Sequence, residues 1–114
     1  MLRIMVVALA VLGLAAGAEA GSIDAFARCL RDRGAVFYGA SWCPQCAKQR
    51  QLFGGSERLL RYVECAGEDG GQTAACGRAG ITGYPTWEFA DGTRVTGRLS
   101  LGQLAGRAGC KVPD

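Results

Sequence analysis

The chain has 114 residues, with 13 Lys and Arg against 10 Asp and Glu, no His, and a net charge of +3. That charge is spread along the chain with no basic run interleaved with aromatics, which argues against a nucleic-acid partner. Six cysteines in so short a chain fit an exported protein in an oxidising compartment, where cross-links support a core that is marginal on its own.

Arg3, the apolar run from Ile4 to Gly17 and the Ala18-Glu19-Ala20 site predict a secretory signal peptide over residues 1–20, cleaved before Gly21. The rival reading is an uncleaved anchor, for which the run is short, because spanning the hydrocarbon takes about 20 residues. Gly21 to Asp114 then make a single domain, expected to be a monomer in the periplasm or elsewhere outside the cytoplasm. Ser22 can cap a helix that places Ile23, Phe26, Ala27 and Leu30 on one face, and Gly34 ends it. Ala35 to Gly39 is a short apolar run suited to a buried central strand.

A second helix is expected from Cys43, with Ala47 and Leu52 or Phe53 inward, Lys48, Gln49 and Arg50 outward, and Gly54-Gly55 as its stop. Leu59 to Cys65 reads as a second strand, followed by a Gly-rich acidic loop over residues 66–72. Thr73 caps a short helix ending near Gly80. Thr86 to Ala90 and Thr93 to Gly97 flank Asp91-Gly92, a strong hairpin signal. Ser100 and Gln103 form a capping box for a last helix over Leu101 to Ala108. The order α-β-α-β-α-β-β-α implies a right-handed parallel crossover with a hairpin beside it. The fold class is α/β: a small mixed four-stranded sheet with helices on both faces.

The chemistry concentrates in Ser41-Trp42-Cys43-Pro44-Gln45-Cys46. Pro44 suits the first position of a helix, which puts Cys43 at the exposed helix end and Cys46 one turn inside. Free N–H groups and the dipole at that end favour a reactive thiolate on Cys43. The alternative readings are an inert disulfide or half of a zinc site; zinc needs four ligands, and without His only the other cysteines could complete it. A dithiol/disulfide redox pair is the better reading, with Cys43 attacking and attacked and Cys46 resolving. Trp42 either shields the site and offers a surface to substrate or is plain core packing. Gln45 can donate a hydrogen bond in the dipeptide but brings no charge.

With Tyr84-Pro85-Thr86 ahead of the hairpin, these residues resemble the thioredoxin superfamily. FARCLRDRGAVFYGASWCPQCAKQRQLFG, YVEC and GITGYPTWEF are, more closely, similar to the thioredoxin-like domain associated with bacterial homologues of vitamin K epoxide reductase. The resemblance implies a thiol–disulfide exchange protein outside the cytoplasm that acts on cysteine-containing exported proteins. It also implies a quinone-linked membrane oxidoreductase as partner, and a cis Pro85 that faces the active disulfide beside Tyr84. Thioredoxin-type reductants usually carry a buried acid six positions before the first cysteine. Phe37 stands there, which tilts the reading toward oxidation of substrates.

Four cysteines remain and allow three pairings: Cys29–Cys65 with Cys76–Cys110, Cys29–Cys76 with Cys65–Cys110, and Cys29–Cys110 with Cys65–Cys76. A flexible loop could fold Cys76 back on Cys65, leaving Cys29 and Cys110 to tie the chain ends, and the resemblance favours that pairing. A second redox relay through Cys65 and Cys76 is the sharper alternative. The expected activity is an exported thiol–disulfide oxidoreductase, without cofactor or metal, that oxidises or isomerises cysteines of secreted proteins. The alternatives are an extracytoplasmic thiol reductase and a non-catalytic binding module on a stapled thioredoxin scaffold.

Overall fold

The computed structural model describes residues 22–113, so the signal segment expected at residues 1–20 lies outside the described residues. Helix α1 (Ile23–Asp32) begins where the Ser22 hydroxyl accepts the N–H of Ala25 at 3.0 Å, and it buries Phe26, Ala27 and Leu30. Strand β1 (Val36–Gly39) leads to helix α2 (Pro44–Gln51). A 3-10 turn over Gly54–Leu59 precedes strand β2 (Arg61–Glu64). Helix α3 (Ala74–Ala79) is capped by Thr73 and closed by Gly80. Strands β3 (Thr86–Glu88) and β4 (Arg94–Thr96) form the hairpin, and helix α4 (Leu101–Ala108) starts in the Ser100–Gln103 capping box.

The sheet runs β2-β1-β3-β4, with β1 parallel to β2 and antiparallel to β3, and β3 antiparallel to β4. It is a mixed sheet, and the arrangement is compatible with a thioredoxin-like fold. The register sets Phe37 opposite both Tyr62 and Trp87. Because cross-strand partners point to the same face, these three rings make a row across the sheet. Phe37 stacks on Trp87 at 4.9 Å and meets Tyr62 edge-on at 5.1 Å. Phe53 and Phe26 continue the row into the layer above, with centroids 6.4 Å from Trp87 to Phe53 and 6.1 Å from Phe53 to Phe26. Helices α1, α2 and α4 pack on this face. Tyr38 and Val63, one residue along each strand, point the other way and pack on Cys65, Cys76 and Ile81 beside α3.

Two disulfides brace these layers. Cys29 of α1 joins Cys110 beyond α4, and Cys65 at the end of β2 joins Cys76 of α3. The first bridges an 81-residue separation, and closing a loop of that length stabilises by about 4 kcal/mol in the chain-entropy account. Ser56, in the 3-10 turn, donates to Asp24 of α1, and Arg58 pairs with the same carboxylate at 3.5 Å.

The structure corrects several sequence expectations. Helix α2 stops at Gln51, before the glycine pair, and residues 54–59 form a 3-10 turn where Leu59 and Leu60 were read as strand. The hairpin strands are three residues each, shorter than expected. The largest difference is Gln49, expected to face outward and found fully buried. Its amide oxygen accepts from Trp87 Nε1 at 3.0 Å and from the Leu99 N–H at 2.8 Å, and its Nε2 donates to the Leu99 carbonyl at 3.0 Å. With those partners a buried amide carries no desolvation penalty left unmet.

Replacing Gln49 by Leu keeps the volume but strands three buried polar groups, each costing about 1–3 kcal/mol when unpaired. We expect Gln49→Leu to lose about 3 kcal/mol or more in urea unfolding, whereas Leu52→Ala, at a position 40 % exposed, loses less than about 1 kcal/mol. Equal losses would contradict this role for Gln49.

Candidate redox site

The chain leaves β1 at Gly39 and turns, with the Cys43 N–H donating to the Ala40 carbonyl at 3.1 Å. Cys43 is the N-cap of α2, in extended conformation, and Pro44 takes the first helical position, where a missing N–H costs nothing. The Cys43 Sγ occupies the place of a capping oxygen: the Cys46 N–H donates to it at 3.3 Å. Its other neighbour is the Tyr84 carbonyl, 3.7 Å away. The Tyr84–Pro85 peptide bond is cis. The two loops that carry the motifs therefore meet at one sulfur.

Cys43 and Cys46 are free thiols, and they differ in access. Cys43 was expected at an exposed helix end; it is only 6 % exposed, while Cys46 is 0 % exposed beneath it. The cap geometry and the Tyr84 loop cover what an isolated helix end would leave open. Burial pushes the Cys46 thiol up to about 12, the hydrogen bond with Cys43 adds to it, and the Ala40 backbone offsets part of the rise. Phe37 is 1 % exposed and stacked in the aromatic row, so no carboxylate stands at that strand position.

Trp42 is 68 % exposed, which excludes core packing, and its ring meets Tyr84 edge-on at 5.9 Å. The Tyr84 hydroxyl accepts from Gln72 Nε2 at 2.8 Å. Pro44 and Gln45 are exposed on the rim. Cys29, Cys110, Cys65 and Cys76 are paired away from this site. Among the described residues no group of three or more metal-binding side chains is arranged around a common point, and no helix is long and apolar enough to cross a membrane.

Sequence reasoning missed a polar cluster beside Cys46. The Tyr62 hydroxyl donates to Glu64 Oε2 at 2.7 Å and accepts from Arg50 Nη1 at 3.4 Å. Burial, followed by the hydrogen bond to Glu64, pushes the Tyr62 hydroxyl up. For Glu64, burial acts upward, but hydrogen bonds from Tyr62, Ser41 and the Ala66 and Cys65 backbone outweigh it and hold the carboxyl below its ordinary range. The available signal was register: pairing β1 with β2 residue by residue puts Tyr62 against Phe37.

No protein-family model matches the chain. The chain is similar to a protein of Arabidopsis thaliana named thiol-disulfide oxidoreductase LTO1, at 38 % identity over 91 residues. The match takes in 75 % of this chain and 24 % of that protein, so the chain spans about a quarter of its relative's length.

The raised Cys46 thiol has a stability consequence of definite sign. The folded dithiol holds its proton to about 12 against 9.0 for an unperturbed thiol, so stability is complete below pH 9 and falls as pH rises toward 12. We expect the reduced protein to lose stability through that window by chemical denaturation, and the Cys43–Cys46 disulfide form, which lacks the titration, to lose less. In the same reduced protein iodoacetamide at about pH 8 should label Cys43 and spare Cys46; peptide mapping that finds Cys46 labelled first would contradict the asymmetry.

Proposed function

We propose that this chain is an exported thiol–disulfide oxidoreductase that oxidises, or isomerises, cysteines of secreted proteins. The observation that carries the reading is Cys43 itself. Its sulfur caps α2, holds the resolving Cys46 directly behind it, and faces the Tyr84 carbonyl.

In the oxidising direction a substrate thiolate attacks the Cys43 sulfur of a Cys43–Cys46 disulfide. The bond between the two cysteines breaks, and Cys46 leaves with the electron pair and takes up a proton. A mixed disulfide then links Cys43 to substrate. A second substrate thiolate attacks the substrate sulfur of that bond and releases Cys43 as thiolate. Two electrons from two substrate thiols now reside in Cys43 and Cys46, and the substrate carries a new disulfide. No cofactor takes part in these steps. The exposed Trp42 ring, edge-on to Tyr84, offers an apolar surface beside Cys43 for an extended substrate segment.

Reoxidation passes the two electrons to a quinone-linked membrane oxidoreductase similar to vitamin K epoxide reductase. The resemblance of the motifs supports this partner. The predicted signal peptide and the disulfide content support a place outside the cytoplasm. Phe37 in place of a buried acid supports oxidation over reduction.

Cys43→Ala should abolish activity in scrambled-ribonuclease and insulin assays; equal activity in the variant would leave only the scaffold reading. Glutathione equilibration of the Cys43–Cys46 couple sets the direction. A potential of about −200 mV or higher is expected of an oxidant or isomerase, and about −270 mV or lower would instead mark a reductase.

A further inference from the structure

The exchange reading leaves one charge without a partner. Cys46 becomes a thiolate whenever it attacks a mixed disulfide on Cys43, and again whenever it leaves the closed disulfide. Around it the aromatic row is apolar, and Phe37 supplies no base.

Over Gly39 the Cys46 sulfur comes near the ring of Tyr62, whose hydroxyl belongs to the polar cluster. A Cβ at Gly39 would lie 2.9 Å from Tyr62 Cε2, 3.3 Å from Cys46 Sγ and 3.3 Å from the Phe37 ring. The missing side chain thus lets the Tyr62 ring edge come up beside the buried sulfur. On its outer side Tyr62 borders a cavity of about 430 Å³ whose charged lining is Arg50, Glu57, Arg58 and Glu64.

The hydrogen bonds in this cluster have a fixed direction. Glu64 accepts from the Tyr62 hydroxyl at 2.7 Å and from the Cys65 N–H at 3.1 Å. With its proton committed to Glu64, the Tyr62 oxygen presents lone pairs to Arg50, whose Nη1 donates at 3.4 Å. The guanidinium also lies 5.6 Å from the Tyr62 ring centroid, within cation–π range. Arg50 is on the same helix as Cys46, one turn further along.

We propose that Arg50 is a positioning residue for the resolving step: held by Tyr62, whose hydroxyl Glu64 orients, its guanidinium stabilises the Cys46 thiolate whenever disulfide exchange forms one. The proposal rests on the exchange reading above. Of the other charged groups around the cavity, Glu57 and Arg58 come from the 3-10 turn, and Arg58 is paired with Asp24 at 3.5 Å. Glu64 is taken up by its own donors. The Arg50 charge draws the Cys46 thiol downward against the stronger upward push of burial.

A cation over the Tyr62 ring, in surroundings between protein and water, favours a nearby thiolate by about tenfold. Losing the cation cuts the thiolate fraction about tenfold, and the greater nucleophilicity of the more basic sulfur returns part of that, for a net slowing of about threefold.

The test is stopped-flow reaction of the reduced full protein with an aromatic disulfide, 5,5′-dithiobis(2-nitrobenzoate). In the first phase the Cys43 thiolate attacks the reagent, forms a mixed disulfide and releases one thionitrobenzoate. In the second, Cys46 loses its proton to solvent and attacks the Cys43 sulfur. The protein disulfide closes and the second thionitrobenzoate leaves, so two protein thiols are oxidised as one reagent disulfide is reduced.

Arg50→Met should slow the second phase about threefold at neutral pH and low salt, leave the first within about twofold, and lose the deficit near 1 M salt, where the screening length is about 3 Å. Arg50→Lys should restore most of the rate. The equilibrium potential at pH 7 should not move, since Cys46 is protonated there with or without the cation. Tyr62→Phe, which frees Arg50 while keeping the ring, should slow the second phase by a smaller factor and serves if Arg50→Met does not fold. A second phase equal to wild type in Arg50→Met at low salt, a salt-independent deficit, or a lysine variant as slow as the methionine one would overturn the proposal. A wild-type protein that releases no thionitrobenzoate would instead remove the exchange reading beneath it.

Discussion

The placement of the redox helix depends on one uncharged side chain. Gln49 lies three residues beyond Cys46, and it hydrogen-bonds Trp87, two residues beyond Pro85, as well as both backbone groups of Leu99. It is fully buried, so these bonds are made in a low-dielectric interior, where leaving them unmade is costly. The amide accepts twice through Oε1 and donates through Nε2, whereas an ionised carboxylate could only accept. The node fixes α2 against β3 and against the entry to α4. The gap between Cys43 and the Tyr84 carbonyl is therefore set from behind, by parts of the chain that never touch a substrate.

The far side of the sheet holds the other half of the site. The Thr73 hydroxyl donates to the Glu64 carbonyl at 3.0 Å and its N–H to the Cys65 carbonyl at 2.9 Å, beside the Cys65–Cys76 bridge. Gln72, next in the chain, divides its Nε2 between the Ile81 carbonyl at 2.7 Å and the Tyr84 hydroxyl at 2.8 Å. The bridge thus anchors the loop that anchors Tyr84. The sheet separates this cluster from the one that contains Cys43 and Cys46.

What could be read from the sequence was what short-range rules govern. Ser100 with Gln103, Thr73 with Gly80, and Asp91-Gly92 each announce themselves within a few residues, and each lies at an element boundary in the structure. Pro44 located the helix start for the same reason. Gln49 was illegible because its partners are 38 and 50 positions away, and polarity alone points outward. The shallow burial expected of Cys43 failed similarly, since the Tyr84 loop that covers it is distant in sequence. Arg50, Tyr62 and Glu64 look like ordinary strand and helix surface until β1 and β2 are set in register.

In the exchange we propose, the partition of the mixed disulfide follows from where those groups sit. Once a substrate is joined to Cys43, two thiols compete for that bond. Attack by Cys46 expels the substrate sulfur and gives back the starting disulfide. Attack by a second substrate thiol completes a new disulfide or rearranges an old one. Burial against the aromatic row keeps Cys46 protonated far above neutral pH, and with Phe37 at the strand position beneath it no carboxylate stands there to take its proton. A cation on the open side lowers that barrier only in part, because it acts from the edge of a cavity that water also enters. The first route is therefore slowed at its proton, while a substrate thiol arriving from solvent meets no such obstacle. An aromatic floor with charge confined to the rim prolongs the mixed disulfide, and that lifetime is what oxidation and isomerisation require.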